Sequence, residues 1–268
     1  MSDKKRVTVS TLMEMKRGQQ KISMLTAYDF SFAQQVDGVG TDVVLVGDSL
    51  GMVIQGKETT IPVTMDEMVY HTQAVGRGLK RALLLADLPF MSYATPDEGL
   101  RNAGRLMKEG GAQMVKLEGG ADQVGTVELL VSRNIPVCAH LGLQPQSVHR
   151  LGGYKVQGRE KETAQQMIAD AVALEQAGAS MLVLECVPSM LAAEITAALQ
   201  IPVIGIGAGV GCDGQVLVLY DMLGITGGQV PRFVKNFMEE SGSVAEALSA
   251  YVSAVQQKQF PTEAESFS

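Results

Sequence analysis

The chain has 268 residues, a hydrophobic fraction of 46% and a formal net charge of −7, from 22 Lys and Arg against 29 Asp and Glu. That length suits one (β/α)8 barrel. The acidic balance, with no basic stripe, excludes nucleic acid as an expected partner, and no apolar run reaches the ~18 residues of a membrane span. The scattered cysteines Cys138, Cys186 and Cys212 form no CxxC pair, which suggests a reducing cytoplasm rather than a disulfide framework. The segment Met1-Ser2-Asp3-Lys4-Lys5-Arg6 is basic but has no apolar core after it, so a secretory signal is not expected. No Pro/Ser-rich linker divides the chain, and the reading is one domain over 1–268 with a short polar tail from about 256 to 268.

Strands are predicted at 22–27, 42–47, 82–87, 113–118, 136–140, 181–185, 202–206 and 216–222, with helices between them. Short, nearly continuous apolar runs alternating with helical patterns read as buried parallel strands. Thr64-Met65-Asp66-Glu67 fits a capping box. Thr95-Pro96-Asp97-Glu98 offers an N-cap, a first-turn proline and acids at the positive helix end. Gly110-Gly111 and Gly178 suit left-handed helix stops. The stretch from Gly111 to Glu118 also resembles that from Gly178 to Glu185, a weak repeat of one strand-helix unit. Eight such units favour a closed barrel over an open doubly wound sheet. Two long connections, 51–62 and 143–159, leave the strands' carboxyl ends, where long loops usually serve function.

Four apolar runs end in a carboxylate: Asp48, Asp87, Glu118 and Glu185. In an α/β barrel these ends share one face, and acids gathered there repel one another unless a cation or a shared proton intervenes. Asp48 and Asp87 end neighbouring strands and could share a Mg²⁺ ion, with Glu118 joining directly or through water. Each acid could instead cap the helix that follows it. Lys116 points the same way as Glu118, since side chains alternate along a strand. Inside a buried strand it needs a counter-charge, Asp87 or Glu118 structurally, or else an anionic ligand. Glu185, two strands farther round the mouth, suits a base facing that ligand. His140 ends strand 5, where it could orient a substrate or be a hydrogen-bonded structural histidine; His71 reads as structural. Gly205-Ile206-Gly207-Ala208-Gly209 either lets backbone approach a ligand or makes a tight turn.

Two motifs fail on context. Gly47-Asp48-Ser49-Leu50-Gly51 matches a GxSxG elbow, but the β-branched and glycine-containing run after Ser49 argues against the helix that elbow requires. A GxGxxG reading from Gly205 or Gly207 meets Val210 or Cys212 where glycine is needed, so a dinucleotide site is rejected.

The segments 45–51, Leu85-Ala86-Asp87-Leu88-Pro89-Phe90, Val115-Lys116-Leu117-Glu118-Gly119-Gly120, His140-Leu141-Gly142-Leu143-Gln144-Pro145-Gln146 and 153–159 resemble the ketopantoate hydroxymethyltransferase family. Leu184-Glu185-Cys186-Val187-Pro188, 204–209 and Asp213-Gly214-Gln215 extend the match in order along nearly the whole chain. It departs at Gly110-Gly111, Val210-Gly211-Cys212 and Glu265. The resemblance implies a (β/α)8 TIM barrel of the phosphoenolpyruvate/pyruvate type. It also implies one-carbon transfer from 5,10-methylenetetrahydrofolate to 3-methyl-2-oxobutanoate, giving 2-dehydropantoate for coenzyme A synthesis. Asp48, Asp87 and Glu118 match the family's magnesium positions; Asp48, Ser49, Asp87 and Lys116 match its oxo-acid contacts; Glu185 matches its proton acceptor. A homo-oligomer, a decamer, is implied as well. A Mg²⁺-dependent 2-oxo-acid lyase or mutase on the same barrel is the alternative.

Overall fold

The computed structural model describes residues 5–228 and 230–268. Its strands form a closed parallel barrel in sequence order: β1 (Ile22–Thr26), β2 (Val43–Val46), β3 (Leu83–Asp87), β4 (Met114–Glu118), β5 (Val137–Gly142), β6 (Met181–Glu185), β7 (Val203–Ile206) and β8 (Gly214–Leu217). Closure comes from β1 pairing with β8, in register Ile22↔Gly214 to Leu25↔Leu217. Gly214 permits this seam, because a Cβ there would collide with the Ile22 carbonyl oxygen.

Strand alternation divides the apolar residues into two cores. Ile22, Met24, Val43, Leu45, Leu83, Leu85, Met114, Cys138, Met181 and Val183 fill the barrel, and Leu12 of the helix Val9–Arg17 packs with them. The intervening residues, such as Val44, Leu84, Ala86, Val115 and Leu117, pack with the helical ring. Buried on both faces, these strands need apolar side chains throughout.

The inward files change character toward the carboxyl ends. They read Leu83-Leu85-Asp87 on β3, Met114-Lys116-Glu118 on β4, Cys138-His140 on β5 and Met181-Val183-Glu185 on β6. An apolar floor thus carries a ring of ionisable side chains above it.

Both expected capping boxes form. Thr64 and Glu67 exchange backbone–side-chain hydrogen bonds at the helix Met65–Gly78, and Thr95 and Glu98 do so at Pro96–Lys108. The last strand needs correction: the extended stretch ends at Leu217, and Leu219–Met222 forms a helical turn. Leu219 N donates to Thr26 Oγ1 at 2.9 Å, fixing that turn over the end of β1. A continuous apolar run does not distinguish a buried strand from a buried helical turn, which is why the sequence overran.

The segment after the last helix, Val244–Gln256, is polar in composition yet tied to the barrel. Phe260 is buried against Phe237 and Tyr251. Farther along, Phe267 O accepts from Ser189 N at 2.9 Å. Among the described residues, no helix is long and apolar enough to cross a membrane.

Candidate active site

Six of the expected residues meet at the carboxyl ends of β2 to β6. Lys116 is almost fully buried, with Nζ 3.0 Å from Asp87 Oδ1 and 3.1 Å from His140 Nδ1. Asp87 Oδ2 accepts the backbone N–H of Asp48 at 3.0 Å, which joins the ends of β2 and β3. Glycine at position 47 allows this approach, since a Cβ there would stand 2.7 Å from Ser49 Oγ and 3.5 Å from Asp87 Oδ2. Glu118 Oε1 lies 3.5 Å from His140 Nδ1, and His140 Nε2 lies 3.3 Å from Glu185 Oε2. Glu185 is the more open end of that chain, its side chain 15% exposed against 3% for His140.

The charges do not balance. Asp48, Asp87, Glu118 and Glu185 face one lysine and one histidine. Burial raises the Asp48 carboxyl well above its ordinary value, and the Asp87 and Glu118 charges raise it further. Burial also raises Asp87, against the pull of Lys116. Burial alone would lower Lys116, but Asp87, Glu118 and Asp48 outweigh it and hold the ammonium charged.

Histidine 140 is pulled both ways. Burial and Lys116 press toward the neutral ring, Glu118 and Glu185 toward imidazolium, with a net upward shift. Nδ1 lies between Lys116 Nζ at 3.1 Å and Glu118 Oε1 at 3.5 Å: in the neutral ring it accepts from the ammonium and the proton sits on Nε2, toward Glu185, whereas in the imidazolium it donates to Glu118.

The donor set suits a small divalent cation. Two acidic side chains meet on adjacent strands, and Asp87 Oδ1 is buried with no hydrogen bond besides the Lys116 ammonium 3.0 Å from it. Among the described residues, no three acidic, histidine or cysteine groups converge closely enough to hold an ion unaided. This fits an ion that takes one or two carboxylates and completes its shell with water and substrate oxygens, as Mg²⁺ does. Glu118 stands beside that pair, with Oε2 engaged by the backbone N–H of Gln146 at 3.1 Å.

Ser49 sits at the rim, its Oγ 2.8 Å from the Tyr28 hydroxyl. The sequence-based ground against a serine elbow needs revision, because Leu50–Val53 does form a helical turn directly after Ser49. The backbone there is unstrained, with φ −51°, and the hydroxyl is paired with tyrosine rather than with a base. The glycine run after β7 is a packed turn: a Cβ at Gly207 would press on the Phe233 and Phe267 rings, and one at Gly209 on Ser189. His71 Nδ1 pairs with the Tyr28 carbonyl at 2.7 Å, supporting the backbone behind the rim.

Two contributors escaped the sequence reading. Gln146, on the long connection after β5, reaches Asp48 Oδ2 at 2.8 Å and the Leu88 carbonyl at 3.0 Å. Tyr93, after β3, donates its hydroxyl to Gln146 Oε1 at 2.5 Å. The length of the connection was a signal for Gln146; Tyr93 carried none. A cavity of about 280 Å³ opens beside them, walled by Phe90, Met91, Gln144 and Arg150.

Comparison with known proteins identifies the family. The family model described as ketopantoate hydroxymethyltransferase matches residues 6–263. The 3-methyl-2-oxobutanoate hydroxymethyltransferase of Alkalilimnicola ehrlichii is 61% identical over 97% of this chain and 94% of its own length. The protein of the same name from Halorhodospira halophila is 60% identical over 95% and 92%. Among solved structures, the phosphoenolpyruvate phosphomutase of Streptomyces platensis subsp. rosaceus superposes with a TM-score of 0.61 at 13% identity, covering 80% of this chain and 81% of that one. A phosphonopyruvate hydrolase solved with oxalate and Mg²⁺ gives 0.60 at 10% identity, over 79% and 80%. Those two likenesses concern the barrel alone.

Proposed function

From the premise that the chain belongs to the ketopantoate hydroxymethyltransferase family, and so is an enzyme that transfers a hydroxymethyl group to 3-methyl-2-oxobutanoate, we propose the following division of labour. Asp48 and Asp87, with Glu118 alongside, would hold a divalent cation, Mg²⁺ by the hardness of its donors, which as a Lewis acid would draw electron density from the keto group. Lys116 and Ser49 bind the substrate carboxylate, and Asp48 and Asp87 face its keto end. Glu185 takes the proton from C3, and the electron pair left behind delocalises toward the keto oxygen. His140 orients Glu185 through Nε2. Water breaks both C–N bonds of the methylene bridge of 5,10-methylenetetrahydrofolate, releasing tetrahydrofolate and the one-carbon unit as formaldehyde; C3 adds to that carbon, its C=O π pair takes up a proton as the hydroxyl, and 2-dehydropantoate leaves.

The observation that carries this reading is the chain Asp87–Lys116–His140–Glu185, which connects an anion-binding, cation-hungry floor to a partly open carboxylate. The family resemblance adds a homo-oligomer, a decamer, and the unpaired cysteines Cys138, Cys186 and Cys212 fit a cytoplasmic setting.

Proton NMR of 3-methyl-2-oxobutanoate in D₂O tests the chemistry. With protein and Mg²⁺, the C3 proton signal should disappear, and chelator should stop the loss. Retention of that signal by folded, metal-loaded protein, with and without tetrahydrofolate, would overturn the proton-abstraction step.

A further inference from the structure

We infer that Gln146 is a positioning residue that clamps the Asp48 and Glu118 carboxylates, from β2 and β4, into the orientation in which they receive a divalent cation. This rests on the metal reading proposed above. The amide is buried, 6% exposed, and every polar group on it is matched. Nε2 donates to Asp48 Oδ2 at 2.8 Å and to the Leu88 carbonyl at 3.0 Å, while Oε1 accepts from the Tyr93 hydroxyl at 2.5 Å. The backbone N–H of the same residue donates to Glu118 Oε2 at 3.1 Å. Tyr93 closes the circuit by accepting from Glu118 N at 3.3 Å.

Chemistry makes the residue type specific. A carboxylate at position 146 would set acceptors against Asp48 and the Leu88 carbonyl, and an apolar side chain would leave both without a donor. The amide engages one oxygen of Asp48 and the peptide N–H one oxygen of Glu118, leaving the second oxygen of each for other partners. Hydrogen-bonded partners of metal-binding carboxylates fix their orientation, and losing one costs about 10- to 100-fold in metal affinity. Gln146 rides on the connection after β5 and also lines the cavity beside the site.

Mn²⁺ binding, followed by loss of the free-ion EPR signal without substrate, tests this. Gln146→Met keeps the volume and the backbone donor but removes the amide; affinity should fall about 10- to 100-fold. Tyr93→Phe, a milder change, should weaken binding in the same direction but less. In the double variant the combined loss should be smaller than the product of the two, because they act through one carboxamide. Wild-type affinity in Gln146→Met, with only a lowered melting temperature, would overturn the inference and leave a packing role. If Gln146→Met fails to fold, unchanged affinity in Tyr93→Phe overturns it equally. A wild-type protein that binds no Mn²⁺ would instead bring down the metal reading, and this inference with it.

Discussion

His140 presents its Nε2 to Glu185 at 3.3 Å while Lys116 occupies its Nδ1 at 3.1 Å. In the neutral ring, Nδ1 accepts from the lysine and the proton on Nε2 faces the Glu185 carboxylate. The inward alternation of β4, β5 and β6 builds this line, with Glu118↔His140 in register and His140 next to Val183.

Glu185 carries the proton step in this scheme. Glu185→Gln should keep Mn²⁺ binding and lose about 10²- to 10⁴-fold in kcat, the usual worth of a positioned base. C3 deuterium exchange should fall with it. Near-normal turnover would remove Glu185 from that role.

Among the described residues, Lys116 is the one ammonium beside the buried carboxylates of the site. Lys116→Met should destabilise the metal-free protein by about 3–5 kcal/mol, because it leaves buried charges uncompensated. Mg²⁺ should restore part of the loss. Denaturant unfolding with and without Mg²⁺ measures both, and a variant as stable as wild type would show that Lys116 does not compensate these acids.

The pH dependence has a definite sign. Asp48 and Asp87 titrate above their ordinary values, so their contribution to stability is complete below the unfolded carboxylate range, about pH 4, and is lost as pH rises through the folded values. Metal binding needs the ionised forms and therefore strengthens over the same rise. The Mg²⁺-induced increase in melting temperature should grow as pH rises above the ordinary carboxylate range, about pH 4. A shift independent of pH would disconnect these two carboxylates from the ion.

At the barrel seam, Gly214→Ala should cost about 1–3 kcal/mol, the penalty of forcing atoms into a filled interior. The cause is the Ile22 carbonyl, which occupies the space a Cβ requires. An unchanged denaturation midpoint would mean that the seam relaxes freely.

The positions of the first seven strands, the two capping boxes and the carboxylates at the strand ends were all legible in the linear chain. Each depends on a local rule: apolar runs for buried strands, Thr-x-x-Glu for helix starts, alternation for which residues point inward. The turn after Leu217 was not legible, because Leu219 is held by Thr26 from the other end of the chain. Nor was Gln146, whose meaning comes from Asp48, Leu88 and Tyr93, residues 98, 58 and 53 positions away. By itself the sequence determined the barrel and the acids at its mouth, because both follow from local periodicity. Only the tertiary structure decided which carboxylate faces lysine, which faces the amide and which stays open to solvent. Those pairings depend on angstrom-scale distances between strands and loops, and buried charges stay ionised only where such distances are short.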